Sequence, residues 1–450
     1  LLGEKDVLKA LQLLPGVSGG GEGQSGIYVR GGGPDQNLIL LDGVPVYNAS
    51  HLFGFFSVFN TDAIRDVSLV KGGFPARYGG RLSSVIEINM KEGNDKEFHG
   101  EGSIGLIASK LTLEGPIKKG RSSFIVSGRR TYLDILARPI IKSALKADGS
   151  DGVLGYFFDD VNAKVNHRLS DRDRLYLSFY TGTDKFYSRI KEGYNYSDGG
   201  TSRYEDRFDA GFGWGNRTAA LRWNHVFSPR LFANTTATYS RYRFNTDAEY
   251  ESKSFENNVV TEEDLNSVRY RSGINDWAAK VDFDFMPNPA HYVRFGAGAI
   301  LHTFKPGDFR SRLYSAYMGQ DTTDTRSDFV EPNIHAAELA LYAEDDWKAT
   351  DRLRLNAGLH LSGFLPSGRA YYSLQPRFNA RYLFDRGWSA KASFSTMRQF
   401  IHLLTNETIG LPTDLWLPST QRIRPQDAWQ VALGAAKTLG KEYEFSAELN

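Results

Sequence analysis

The sequence contains no cysteine, which excludes a disulfide framework, a thiolate metal site and a cysteine nucleophile. It also has no run of ~18 or more apolar residues, so it is not a helical membrane protein. The longest uncharged stretch near the N-terminus, Gly43 to Thr61, is broken by Pro45, Asn48, Ser50, His51 and Asn60, and reads as loop and short strand. Charge of one sign is missing as well. The 54 Lys and Arg stand against 53 Asp and Glu, a net charge of +1, and no nucleic-acid partner is expected. The histidines form no HExxH or other close pair, and spacing supports neither a Ser-His-Asp set nor paired carboxylates, so no metal, no cofactor and no enzyme activity are expected. Gly21-x-Gly23-x-x-Gly26 has dinucleotide spacing but leads into a strand rather than a helix, which removes the required context. Leu1 opens directly on LLGEKDVLKALQLLPGV without a signal peptide, so the native N-terminus is expected upstream.

What the chain has in quantity is glycine, 45 residues, and aromatics at 13 %. They are used in two different ways. Residues 1–95 carry short apolar runs, Ile27–Val29, Leu38–Leu41, Val67–Val70 and Val85–Ile88, each bounded by turn residues. This pattern predicts a small, buried, irregular sheet. Residues 96–450 instead show long segments with two-residue alternation. Leu353, Leu355, Ala357, Leu359 and Leu361 interleave with Arg354, Asn356 and His360; Trp277, Ala279, Val281, Phe283 and Phe285 with Lys280, Asp282 and Asp284. Leu339, Leu341 and Ala343 likewise oppose Glu338, Tyr342 and Glu344, and Tyr443, Phe445 and Ala447 oppose Glu444, Ser446 and Glu448. Short polar turns (LSDRD, FSPR, PNPA, ATDR, FDRG) alternate with long polar segments expected as loops near 133–157, 188–208, 245–270, 305–333 and 398–427.

Short turns at one end and long loops at the other describe a transmembrane β-barrel. A soluble sandwich also alternates, but its strands usually run ~5–6 residues, shorter than these. Trp223, Phe227, Trp277, Trp347, Trp388 and Trp429 sit near strand ends, where an interfacial girdle would place them. The apolar phase, including Val281, Phe283, Leu339, Leu341, Leu355, Leu359 and Phe445, is expected to face lipid. Asp282, Glu338, Arg354 and Glu444 are expected to face inward. About fifteen strands are legible, and a closed barrel cannot leave an edge in lipid. No ladder is therefore expected between the first strand, near Phe98, and the last, and the barrel is read as incomplete.

The order of motifs in the first region carries a family resemblance. A PGV turn (Pro15–Val17) precedes IYVRGGG (Ile27–Gly33), then NLILLDGVPV (Asn37–Val46), then AIRDVSLVKGGFPARYGGRLSSVIEINMKEG (Ala63–Gly93). This resembles the plug of TonB-dependent outer-membrane receptors, with Ser84 where a glycine often stands. The likeness continues through the barrel, as in LALYAEDDWKATDRLRLNAGLHL (Leu339–Leu361). It implies a mainly β fold, an N-terminal globular plug inside a large antiparallel barrel of about 22 strands, in the outer membrane of a Gram-negative bacterium. It implies TonB, with ExbB and ExbD, as a periplasmic partner gripping a box upstream of this chain. It also implies import of a scarce nutrient (siderophore, vitamin, peptide or glycan) and contact with outer-membrane lipid. A surface lipoprotein or envelope complex is the alternative partnership.

Family plugs present apical loops to ligand, here Ser18–Ser25 and Asn48–Ser57. Within the second, Asn48, Ser50, His51, Phe53, Phe55 and Phe56 are candidates for stacking on or hydrogen-bonding a ligand. The alternative is that the phenylalanines pack the plug against the barrel. For anchoring, the basic plug residues Arg30, Lys71, Arg77 and Arg81 are expected to meet wall carboxylates such as Asp282, Asp284, Glu338 and Glu344. At least two of Arg30, Arg77 and Arg81 are expected to form such pairs.

Overall fold

The computed structural model describes residues 6–19, 26–195, 202–318, 320, 322–404, 415–439 and 443–449, without the side chains of 53, 194, 195, 439 and 444. Asp6 caps the short helix Val7–Leu11 through Lys9 N at 2.9 Å. Val17–Gly19 then pairs with Ile27–Val29. The plug's main sheet has four strands in the order Val44–Pro45, Asn37–Leu41, Ser84–Met90 and Ile64–Val70, with the central pair parallel. Asn37–Leu41 is apolar after its first residue because both its faces are covered, whereas Ser84–Met90 alternates beyond Ile86 with Glu87 and Asn89 half-buried; Leu41, Ile86, Ile88 and Met90 pack with Val29 and Phe59 into one core. The tight return from Leu41 to Val44 uses Asp42 and Gly43 at φ 49° and 85°, the left-handed pair a two-residue hairpin requires. Ser84, the departure from the plug pattern, is buried and donates to Asn37 Oδ1 at 2.6 Å.

From His99 onward the chain is an antiparallel meander. One 16-stranded sheet runs from His99–Ile104 to Tyr443–Leu449, with Thr323–Val330 attached as a side branch to His291–Tyr317. The two ends of this path share no ladder among the described residues, as expected from the pattern. Even-numbered positions of the strands from Ser150 to Lys348 turn inward: Asp160, Asp184, Asn216, Ser240, Asp276 and Glu344 all reach the lumen and are buried. Odd positions turn outward, and Leu177, Leu221, Trp277, Leu301, Leu339 and Leu341 are exposed there. Leu359 and Phe445 are also exposed, while Val281, Phe283 and Leu355 are half-buried among outer-face neighbours. Asp282 and Glu338 face inward as expected; Arg354 has the inward phase but is exposed near the short-turn end, and the Glu444 side chain lies outside the described residues.

Several segments expected as loops are strand. Asp173–Asn195, Ser202–Ser228, Leu231–Glu256, Val259–Asn288 and His291–Tyr317 run 23, 27, 26, 30 and 27 residues, far beyond the ~9–11 needed to cross a bilayer. Above the membrane neither face meets lipid, so the apolar period disappears while the backbone ladder continues. The 133–157 segment holds the helix Leu133–Ala147, whose Asp134 accepts from Arg130 at 3.1 Å on the wall below. The 398–427 segment contains the hairpin Ile401–Leu404 with Leu415–Pro418, whose Ile401 and Trp416 fill the lumen beside Phe304 and Phe364.

Candidate functional site

The site is the seat in which the wall holds the plug. Its most enclosed part surrounds His51, which is 1 % exposed. His51 begins the one-turn segment Leu52–Gly54, and extended backbone at His51 (φ −105°) carries the imidazole into the wall. Nδ1 lies 2.5 Å from Asp184 Oδ2 and Nε2 lies 2.9 Å from Asp160 Oδ1. Only the doubly protonated ring can donate at both nitrogens. Asp160 also receives Arg129 Nε at 2.8 Å and Tyr180 Oη at 2.9 Å, and Arg129 donates to Ser57 O at 2.8 Å. Phe158 stacks on the imidazole at 4.2 Å between centroids. Burial works against charge on His51, but Asp160 and Asp184 outweigh it and raise the group from 6.5 to about 9. Two cations, His51 and Arg129, thus face two carboxylates in a closed, charge-balanced set.

Around this centre the wall reaches mostly for plug backbone. Asn216 donates to Asn48 O at 2.5 Å, Trp214 to Ser50 O at 3.3 Å, and Ser240 to Pro45 O at 2.6 Å. Tyr47 donates to Asp276, which also holds His302 at 2.8 Å. Lys164 pairs with Asp42 at 2.9 Å and Arg222 donates to Asp42 O at 2.9 Å. A second strongpoint grips the turn Pro75–Tyr78. Ala76 N donates to Glu344 Oε2 at 2.5 Å, His360 Nδ1 meets Ala76 O at 2.7 Å, and Arg377 donates to Pro75 O and Tyr78 O at 2.6 and 2.5 Å. Glu344 is completed by Arg294 at 2.9 Å.

The residues singled out in the sequence are placed unevenly. In the apical segment only Phe55 is substantially exposed, at 40 %; Asn48, His51 and Phe56 are buried, Ser50 is half-buried, and the Phe53 side chain lies outside the described residues. Phe56 packs on Phe158 at 5.8 Å, the packing against the barrel weighed as the alternative for these phenylalanines. Residues 20–25 of the other apical loop lie outside the described residues. Of the three arginines expected to pair with wall carboxylates, only Arg30 does so among the described residues, with Glu448. Arg77 lies 3.8 Å from the plug's own Glu87, and Arg81 donates to Gly80 O at 2.8 Å and sits over Trp416. Lys71 donates to Pro15 O at 2.6 Å. Asp282 and Asp284 are taken up within the wall by Tyr342 and Tyr292 at 2.5 and 2.7 Å. Glu338 approaches His302 at 3.5 Å; among the described residues Glu344 alone of these four bonds the plug.

The expected anchoring is therefore reversed. The plug offers backbone carbonyls and N–H groups, which its short strands and turns leave unpaired, and the wall supplies most of the charge. Arg129, Asp160, Lys164, Asp184, His360 and Arg377 were missed. For Asp160 and Lys164 the signal was available in DVNAKVN, whose inward phase, Asp160, Asn162, Lys164 and Asn166, is polar and buried.

Comparison with known proteins gives the same architecture. Residues 2–85 match the TonB-dependent receptor plug domain, and residues 155–436 match the TonB-dependent receptor-like β-barrel. The ferrienterobactin receptor of Escherichia coli (strain K12) is 22 % identical over 462 residues, covering 88 % of this chain and 59 % of the relative. The chain thus spans less than two thirds of that receptor's length. The siderophore receptor PiuA of Acinetobacter baumannii superposes with a TM-score of 0.57 at 15 % identity, over 98 % of this chain and 68 % of PiuA. A chain of the RagAB peptide importer superposes with a TM-score of 0.58 at 10 % identity, over 97 % of this chain and 64 % of that one. With its plug, its lipid-facing barrel and a barrel-family match over most of its length, the chain belongs to the TonB-dependent receptors of the Gram-negative outer membrane.

Proposed function

We propose that the protein imports a ferric siderophore through TonB-driven remodelling of its plug. The observation that carries this reading is the polar seat. Beside apolar contacts such as Met397 with Phe74 and Phe158 with Phe56, the wall holds the plug through a large set of hydrogen bonds and ion pairs, from Lys164–Asp42 to Arg377–Pro75. Water can replace such bonds one at a time as the plug shifts, leaving Asp160, Arg129 and Glu344 hydrated instead of stranded. An apolar seat would have to expose its whole area at ~25 cal/mol per Å² with no such compensation. The siderophore class is supported by the relatives named for it, the ferrienterobactin receptor and PiuA. The family is one of transport receptors, which favours import over service as a subunit of an envelope complex.

The test is uptake of radiolabelled ferric siderophores by cells carrying the full-length receptor, with and without TonB. Accumulation that requires TonB is the expected result. TonB-dependent uptake of peptides with no siderophore uptake would overturn the substrate class. Uptake unaffected by loss of TonB would overturn the mechanism.

A further inference from the structure

The strands continue above the membrane, and what they turn inward there differs in chemistry from what they turn outward. On Asp173–Asn195, Ser202–Ser228, Leu231–Glu256 and Val259–Asn288 the inward phase is fixed lower down by Asp184, Asn216, Ser240 and Asp276, whose side chains bond the plug. The ladders between these strands hold register from that level up to Glu192, Asp206, Ser252 and Asp264, so the same phase lines the vestibule above the plug. On His291–Tyr317 one extra residue between Lys305 and Asp308 reverses the phase. This brings Phe309, opposite Tyr270, and Leu313, opposite Asn266, to the inner face, and Phe329 follows from its pairing with Phe309.

No continuous apolar period runs along this face. Among its small and polar positions, however, stand large apolar side chains. Phe186 stacks on Phe212 at 4.8 Å between centroids, and Phe208, Tyr250, Phe309, Leu313 and Phe329 are exposed. Lipid does not reach the inner face, and exposed apolar side chains grouped in this way mark a binding surface. One row nearer the extracellular rim, Glu192, Asp206 and Asp264 stand in register with Ser252. Asp206 accepts from Tyr250 Oη at 2.9 Å, and neither it nor Asp264 has a cationic partner among the described residues. The cations of this height are on the other face. Arg203, Arg207, Lys253, Arg269, Arg310 and Arg312 occupy the outward phase, where Arg207, Lys253 and Arg312 pair with Asp209, Glu251 and Asp324. From the row of Phe186 to the row of Asp206, no inward position among the described residues is Lys or Arg.

We infer that this inner wall takes a singly cationic iron complex with an organic shell and disfavours complexes of net negative charge. The inference rests on the siderophore reading above and names its charge class. An apolar ligand shell is removed from water against Phe208, Phe309, Leu313 and Phe329. A pendant ammonium meets the carboxylate of Asp206 or Asp264 and the ring of Tyr250. An anionic complex meets the same carboxylates as like charge and finds no guanidinium to offset them. Selection therefore comes from repulsion as much as from attraction.

The test is binding by the purified full-length receptor at low salt, followed by tryptophan fluorescence, with three iron complexes. These are a linear trihydroxamate bearing one free ammonium, the same complex acetylated on that nitrogen, and a trianionic tris-catecholate. The ammonium complex should bind most tightly, about fivefold above the acetylated one, the upper end for a single exposed ion pair. The catecholate should bind most weakly, an arm that needs no variant to fold. D206N/D264N should erase the difference between the first two. Catecholate binding equal to or tighter than that of the ammonium complex would overturn this inference and leave the siderophore reading standing. So would an ammonium preference that survives D206N/D264N. Binding of none of the three would overturn the siderophore reading, and the inference with it.

Discussion

His51 of the plug and Asp160 of the wall meet at 2.9 Å across 109 residues of sequence, at a point where both are almost fully buried. Asp160 serves Arg129 and Tyr180 at the same time, so one carboxylate holds together plug loop and wall. Replacing it by Asn leaves Arg129 and His51 without their shared counter-charge. The expected effect of Asp160→Asn is a loss of about 3–5 kcal/mol in the local seat. Amide hydrogen exchange over residues 48–57 should speed up accordingly, with exchange in the Ile86–Met90 core unchanged.

The same pair sets a pH dependence. The raised value of about 9 for His51 means that its contribution is complete below about 6.5 and is lost as pH rises through about 9. Exchange at residues 48–57, corrected for its intrinsic pH dependence, should therefore accelerate on the alkaline side. His51→Gln should abolish that step. A wild-type profile flat from pH 6 to pH 10 would show that the imidazole is not held charged.

Anchoring strength should follow burial rather than net charge. Glu344 is buried and joins Ala76 N to Arg294, so Glu344→Gln should loosen the plug and admit antibiotics that the wild type excludes. Arg30 pairs with a Glu448 side chain that is 46 % exposed, a type of pair worth about 0–1 kcal/mol. Arg30→Ala should change antibiotic entry little, and so should Arg81→Ala, because among the described residues Arg81 donates only to its own neighbour Gly80 and otherwise lies over the Trp416 ring.

The lipid face makes a separate prediction. Leu341 is 55 % exposed in the middle of the outward phase of Ile334–Lys348. Leu341→Arg should destabilise the barrel by about 2–4 kcal/mol in bilayer unfolding measurements. Ser327→Arg, on the side branch above the membrane, should leave that stability within error.

The sequence by itself determined the two-part organisation, the inward and outward faces of the barrel strands and the family. All three rest on local regularities, the two-residue period between lipid and lumen and the order of glycine-bounded motifs in the plug. Strand length above the membrane was not legible, because polar residues on both faces erase the period while backbone pairing needs none. Nor was the direction of the anchoring. Arg77 and Arg81 are as basic in the sequence as Arg30, yet only tertiary folding brings Arg30 to Glu448, turns Arg77 to the plug's own Glu87 and lays Arg81 over Trp416. The partners of His51 are 109 and 133 residues away, supplied by strands whose register the whole sheet sets. A contact of that range depends on which strands curve around the plug and at what height. Local propensity does not encode this; the curvature of the wall around a folded plug does.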